Sequence, residues 1–182
     1  VKIRRVVVGL EPAPLSRALL EAAAELAQRM EAELVGLFVE SQDLLHFAGL
    51  PFAREVGYAS ATKRRLDVES MERALRTLAG EARDTLAVIA ARTPVQWSFR
   101  VARGTLSAEL LAAAGEADLI IAGAAQPAAL PGSLRIRVVR ADDPGAVRAA
   151  LAEEGAGVVL VTGGDGDRIR ELSRWLTARE GG

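Results

Sequence analysis

Arg5-Val-Val-Val-Gly-Leu10 and Glu33-Leu-Val-Gly-Leu-Phe-Val39 decide the fold, together with what lies between them. Past its first charged residue, each stretch is continuously apolar and rich in β-branched side chains. Such a run reads as a strand buried on both faces. Between them Leu15, Leu19, Ala22, Leu26 and Met30 recur at helical spacing, and Ser16, Arg17, Glu21, Glu25 and Arg29 fill the other positions. That is an amphipathic helix. Strand, helix and strand in so short a span form a βαβ unit, so the two strands are expected to be parallel.

The alternation continues outward. Val68, Met71, Leu75, Leu78, Ala82, Leu86 and Ile89 step by three or four and predict a helix over 66–91, ending before Thr93-Pro94. Val95, Trp97, Phe99 and Val101 alternate with Gln96, Ser98 and Arg100, as in a half-buried strand at a sheet edge. Leu106, Leu110, Leu111 and Ala114 give another helix, and Asp118-Leu-Ile-Ile-Ala-Gly123 another buried strand. Further on, Leu134-Arg-Ile-Arg-Val-Val-Arg140 alternates like a strand. Asp142-Asp-Pro144 reads as a helix entry, and Gly157-Val-Val-Leu-Val-Thr162 as a buried strand. The pattern predicts one doubly wound α/β domain over 1–182, with an open, mostly parallel, Rossmann-like sheet. Its expected core strand order is 3-2-1-4-5, with a sixth strand after residue 156. A sixth strand outside the fifth would cover that edge of the sheet.

Residues 41–65 break the rhythm. Ser41 to Gly49 reads as a short helix with Ser41 as its cap and Gly49 as its stop, and 50–65 has no clear period. The segment carries Leu44, Leu45, Phe47, Leu50, Phe52 and Tyr58, too many apolar side chains for a solvated loop. It reads as a lid over the crevice at the sheet's carboxyl end, as an arm that packs on a second subunit or a partner, or as plain packing on the domain itself.

Composition excludes several functions. There is no Cys and a single His, His46, in 182 residues. Thiol catalysis, disulfides and a multi-histidine metal site within one chain are thereby ruled out. The lack of Cys fits a cytoplasmic setting, and the first residues lack the apolar core of a signal peptide. The formal net charge is −1 and aromatics are 4%, which offers little to nucleic acid or an anionic membrane. No apolar run approaches the ~18 residues of a membrane span.

Four stretches carry a resemblance to the universal stress protein family. They are Val6-Val-Val-Gly-Leu-Glu11, Ala18 through Val39, Val101-Ala-Arg-Gly-Thr-Leu-Ser-Ala-Glu-Leu-Leu111 and Ala117-Asp-Leu-Ile-Ile-Ala-Gly123. Their order and spacing are similar to the family's over residues 1–123, whereas 124–182 diverges. The resemblance implies an adenine nucleotide alpha hydrolase-like fold, a homodimer built through the strand at Leu134 to Val139, and a nucleotide site. The site positions that match are Gly9, Glu11, Val39, Gly123, Gly132 and Ser133. The family's loop has the form Gly-x2-Gly-x9-Gly-Ser/Thr. Here the second Gly position holds Gln126, the interval before Gly132-Ser133 is about four residues short, and Pro127 and Pro131 supply no N–H to a phosphate. Glu11, followed by Pro12, stands where the family has Asp. The implied site is therefore vestigial, and ATP or another adenine nucleotide is disfavoured as a ligand.

The remaining candidates have plainer readings. His46 reads as a partly buried, hydrogen-bonded side chain rather than a general base. Gly163-Gly-Asp-Gly-Asp167 lies where a phosphate loop would, but its two carboxylates face the helix end that would hold the anion, so Asp165 or Asp167 reads as a cap. Lys63-Arg-Arg65 and Arg135, Arg137 and Arg140 read as solvated basic faces. The function expected is a non-catalytic, regulatory or binding role. One alternative is a nucleotide-binding stress protein, or an adenylate-using enzyme on the same fold. Against the enzyme, Gly9-Leu-Glu-Pro-Ala-Pro14 does not resemble that class's Ser-Gly-Gly-x-Asp-Ser loop. The other is an interaction module for a transporter or kinase.

Overall fold

The computed structural model describes residues 3–12, 16–51, 54–56, 63–65, 67–115, 118–123, 136–152, 158–163 and 165–178. The elements follow in chain order: β1 (Arg5–Leu10), α1 (Arg17–Arg29), β2 (Glu33–Ser41), α2 (Gln42–Ala48), β3 (Arg54–Val56), β4 (Lys63–Arg65), α3 (Val68–Arg92), β5 (Trp97–Gly104), α4 (Leu106–Ala114), β6 (Leu119–Ala122), β7 (Ile136–Arg140), α5 (Pro144–Ala152), β8 (Val158–Thr162) and α6 (Gly166–Thr177).

Six strands form one sheet in the order β5-β2-β1-β6-β8-β7, and every pairing in it is parallel. Numbered along the chain, the order is 3-2-1-4-6-5. The doubly wound fold and the order 3-2-1-4 are as the sequence predicts. The last strand differs: it enters between the fourth and the fifth instead of lying outside the fifth, so β7 stays at the sheet edge. Hydrophobicity supplies the reason. Val158-Val-Leu-Val-Thr162 is buried at all five positions and satisfies an interior strand. Ile136-Arg-Val-Val-Arg140 carries two arginines, and Val138 is 51% exposed, which suits an edge.

Helices cover both faces. α1, α3, α5 and α6 pack over one face, on Val6, Val8, Leu34, Phe38, Ile121 and Val161. α4 packs over the other, with Leu110 and Ala113 against Val7, Val35, Val39 and Ile120. Gly36 makes room for both Phe99 and Leu86: a Cβ there would lie 2.8 Å from Phe99 Cδ2 and 2.9 Å from Leu86 Cδ2. Trp97 and Phe99 are core-facing side chains of the edge strand β5. The long helix α3 is capped by Asp67, whose Oδ1 accepts from the Ser70 N–H at 2.8 Å. Its buried stripe runs Leu75, Ala79, Ala82, Leu86 and Ile89, whereas Val68 at its first position and Leu78 beside the stripe are exposed.

Within 41–65, α2 matches the predicted short helix, with Ser41 Oγ accepting from Leu44 N–H and Gly49 closing it. The stretch after it is not structureless: β3 and β4 pair antiparallel in a separate two-stranded sheet. α2 rests on α3 and β5. Leu44 and Phe47 are 37% and 47% exposed. The α2 part of the segment thus packs beside α3 and β5 with two of its apolar side chains exposed. Ser41 caps α2 immediately after β2 and turns it toward α3. Phe52 and Tyr58 lie outside the described residues.

Candidate functional site

The winding of the sheet reverses between β1 and β6. α1 carries the chain from β1 to β2 over one face, and α4 carries it from β5 to β6 over the other. Ligands of doubly wound sheets bind in the crevice outside the carboxyl ends of the strands at such a point. Four of the six predicted site residues meet there, at the ends of the adjacent strands β2, β1 and β6. Gly9 pairs with Leu37 on one side and Ala122 on the other. Glu11 follows β1 and is exposed, Val39 is 2% exposed, and Gly123 follows β6. Gly132 and Ser133 lie outside the described residues, as do Gln126, Pro127, Pro131 and Arg135.

Gly9, Val39 and Gly123 have structural work of their own. A Cβ on Gly9 would stand 2.9 Å from Leu110 Cδ2, so this glycine admits α4. Val39 belongs to the core under that helix. The Gly123 carbonyl accepts from the Gly163 N–H at 3.1 Å, which ties the end of β6 to the end of β8. Gly163 has φ +67°, a conformation that glycine adopts without strain.

The helix starts around the crevice are capped from within the chain. Ser16 Oγ accepts from Leu19 N–H at 3.2 Å on α1, and Thr105 Oγ1 from Ala108 N–H at 3.3 Å on α4. Asp143 Oδ1 accepts from Ala146 N–H at 2.9 Å at α5, as the Asp142-Asp-Pro144 reading expects. Asp165 Oδ1 accepts from Arg168 N–H at 2.9 Å on α6, which makes Asp165 the predicted cap. Arg168 Nη1 turns back to the Gly163 carbonyl at 3.2 Å, and Asp167 stands exposed in the first turn. α6 starts hard against the start of α1, since a Cβ on Gly166 would lie 2.7 Å from Ala18 backbone atoms. The side chains of Ser16 and Asp165 thus cap two neighbouring helix ends, whose free N–H groups and dipoles would otherwise attract an anion.

One charged cluster at this end of the sheet was not read from the sequence. Glu40, the last buried residue of β2, is 7% exposed. Arg103 of β5 donates from Nε and Nη2 to Glu40 Oε2, both at 3.1 Å, and from Nη1 to Glu72 Oε1 of α3 at 3.2 Å. The hydrogen bond to Glu40 raises the Arg103 pKa above its ordinary value, against desolvation, with Glu72 adding to the effect. The clamp fastens β2 and β5 to the second turn of α3. A lone Glu at the end of an apolar strand was the available signal, but its partners lie 63 and 32 residues further along the chain.

His46 is exposed on α2, not partly buried, because that helix buries only Ala48. Arg140 donates to Asp142 at 2.8 and 2.9 Å; this bond raises the Arg140 pKa and lowers that of Asp142. A cavity of ≈ 360 Å³ lined by Gln28, Glu31, Glu33 and Gln96 lies at the opposite, amino-terminal end of the sheet. No helix among the described residues is long and apolar enough to cross a membrane.

No protein-family model matches the chain, and no curated protein does. Solved structures do. A universal stress protein family member from Burkholderia pseudomallei is similar over 86% of this chain and 93% of its own, with 20% identity and a TM-score of 0.50. Universal stress protein UspA from Lactobacillus plantarum is similar over 89% of this chain and 98% of its own, at 16% identity and a TM-score of 0.49. N-acetylglutamate synthase from Neisseria gonorrhoeae gives 12% identity and a TM-score of 0.45 over 93% of this chain and 58% of its own. The open parallel sheet, its switch point between β1 and β6 and the likeness to the Burkholderia structure agree: the chain has the α/β fold of a universal stress protein domain.

Proposed function

We propose that this domain is a non-catalytic binding or regulatory protein whose crevice does not hold ATP through a phosphate cradle. The observation that carries the reading is the start of α6 beside α1. That end is capped by the Asp165 carboxylate and carries Asp167 in its first turn. A triphosphate brought there would meet two carboxylates and displace an existing cap. Pro127 and Pro131, further along the sequence after β6, carry no N–H donors. The test is to purify the protein natively, denature it and search the supernatant for nucleotide by mass spectrometry. Stoichiometric adenine nucleotide would overturn the reading.

The same reading includes a homodimer and a protein partner that engages the 41–65 segment. Support for the dimer is the place of β7 at the sheet edge, with no further strand beside it among the described residues and Val138 half exposed. Support for the partner is the exposure of Leu44 and Phe47 on α2. Light scattering that finds only monomer at high concentration would contradict the dimer.

A further inference from the structure

We propose that the cavity at the amino-terminal end of the sheet binds a primary alkylammonium group, carried by a free short-chain amine or by a lysine side chain. The cavity lies at the end of the domain opposite the crevice and goes beyond the reading of that site. Three pieces of chain build it: the end of α1, the turn into β2 and the residues that lead into β5. Its ≈ 360 Å³ is room for a small organic molecule. The Leu34 N–H donates to the Gln96 carbonyl at 2.8 Å, which ties β2 to the start of β5 at this spot.

The lining selects the charge. Glu31 and Glu33 line the cavity with the carboxamides of Gln28 and Gln96, and no Lys or Arg is among the lining residues. The two carboxylates differ. Arg5 Nε donates to Glu33 Oε2 at 3.0 Å and Ser98 Oγ to Glu33 Oε1 at 3.1 Å, so Glu33 is already engaged. The Glu31 side chain has no ion pair or hydrogen bond with the described residues. It also stands just beyond the carboxyl end of α1, where the helix dipole is negative. The surplus of negative charge thus centres on Glu31. Ala27, Pro94 and Val95 add an apolar wall. An ammonium with an aliphatic stem matches both parts: its three N–H donors meet carboxylate and amide oxygens, and its stem covers the wall.

The backbone adds an observation independent of the lining. Glu31, at φ 53°, is the sole non-glycine residue with positive φ among the described residues. It holds the helix-ending position that favours glycine. Glycine there would relieve the strain and remove the carboxylate. Strained backbone clusters at ligand sites, and here the strained residue is the one that brings a free carboxylate to the cavity.

The test is a titration of the full chain at low salt, followed by amide NMR. The probes are cadaverine, lysine capped at both ends, and pentanediol, which has the length of cadaverine without its charge. Cadaverine or capped lysine is expected to shift the backbone amides of Gln28, Glu31 and Ala32 and the side-chain NH₂ groups of Gln28 and Gln96, saturably. The tighter of the two names the source of the ammonium. Pentanediol is expected to leave these signals in place. Glu31→Gln keeps the size and removes the charge, and should weaken amine binding at least about threefold. Glu31→Gly should lose as much while its melting temperature rises, which separates lost binding from a damaged fold. No saturable shift with either amine, an equal response to pentanediol, or unchanged binding by Glu31→Gln would each overturn the proposal. None of these readouts involves nucleotide, so failure here is separable from failure of the reading of the crevice.

Discussion

Replacing Gly166 by Ala should destabilise the protein, although Ala is the better helix former. Gly166 is the first residue of α6, and its added methyl carbon would stand 2.7 Å from the carbonyl carbon, oxygen and Cβ of Ala18. Two of those atoms belong to the α1 backbone and cannot swing aside. Relief requires α6 to lift from α1. That would disturb the buried Ile169 and Leu172 and the Arg170 bridges to Glu21 and Glu25 at 3.4 and 3.5 Å. Overpacking of this kind costs about 1–3 kcal/mol. The propensity gain offsets at most about 1 kcal/mol. The net loss is then about 1–2 kcal/mol, or roughly 2–8 °C in Tm for a chain of this size. Gly80→Ala is the matched control. That glycine lies in the middle of α3 with nothing within 4 Å of its added Cβ, so the substitution should stabilise by about 0.5–1 kcal/mol. Urea unfolding monitored by circular dichroism measures both. A Gly166→Ala protein as stable as the parent would refute the close contact of α6 with α1, and with it the geometry of the crevice.

Glu31 has φ 53° at the end of α1, where its N–H donates to the Gln28 carbonyl and the Ala32 N–H to the Ala27 carbonyl. This is the helix-ending motif that favours glycine, so Glu31→Gly should stabilise by about 1 kcal/mol in the same unfolding assay. Ser173 Oγ is buried without a hydrogen-bond partner among the described residues, so Ser173→Ala should leave stability unchanged or raise it by up to about 1 kcal/mol; a loss beyond about 1 kcal/mol would mean that the hydroxyl is satisfied. The hydrogen bond from Arg140 lowers the Asp142 pKa from its ordinary 3.8. The folded chain thus holds this proton less readily than the unfolded chain, so the contribution is fully present above about pH 4 and lost as pH falls through the lower folded value. A pH series of melting temperatures should show a shallower acid limb for Asp142→Asn, and an unchanged limb would remove Asp142 from the account.

The interior of the sheet was legible because burial on both faces demands unbroken apolar runs. β1, β2, β6 and β8 each have one. The order of the last two strands was not legible from periodicity, which reports how a strand is buried and not who its neighbours are. The arginines of β7 against the apolar β8 held that information. β3 and β4 were missed because three-residue strands of mostly charged residues leave no period to detect. Gly9, Glu11, Val39 and Gly123 come from the family resemblance, and the parallel sheet brings them to one edge because each lies at or near the carboxyl end of its strand. The Arg103 clamp was missed because its three members come from β2, β5 and α3, and only the register of β2 with β5 sets Glu40 beside Arg103. The exposure of His46 and Phe47 turned on how α2 leaves β2, a tertiary choice that its short sequence does not encode.

Titration calorimetry of the purified protein with ATP and magnesium tests the central claim most directly. The self-capped starts of α1 and α6 and the carboxylates of Asp165 and Asp167 predict weak binding or none, with no saturable heat at micromolar ligand. A saturable isotherm with a micromolar dissociation constant would contradict the account.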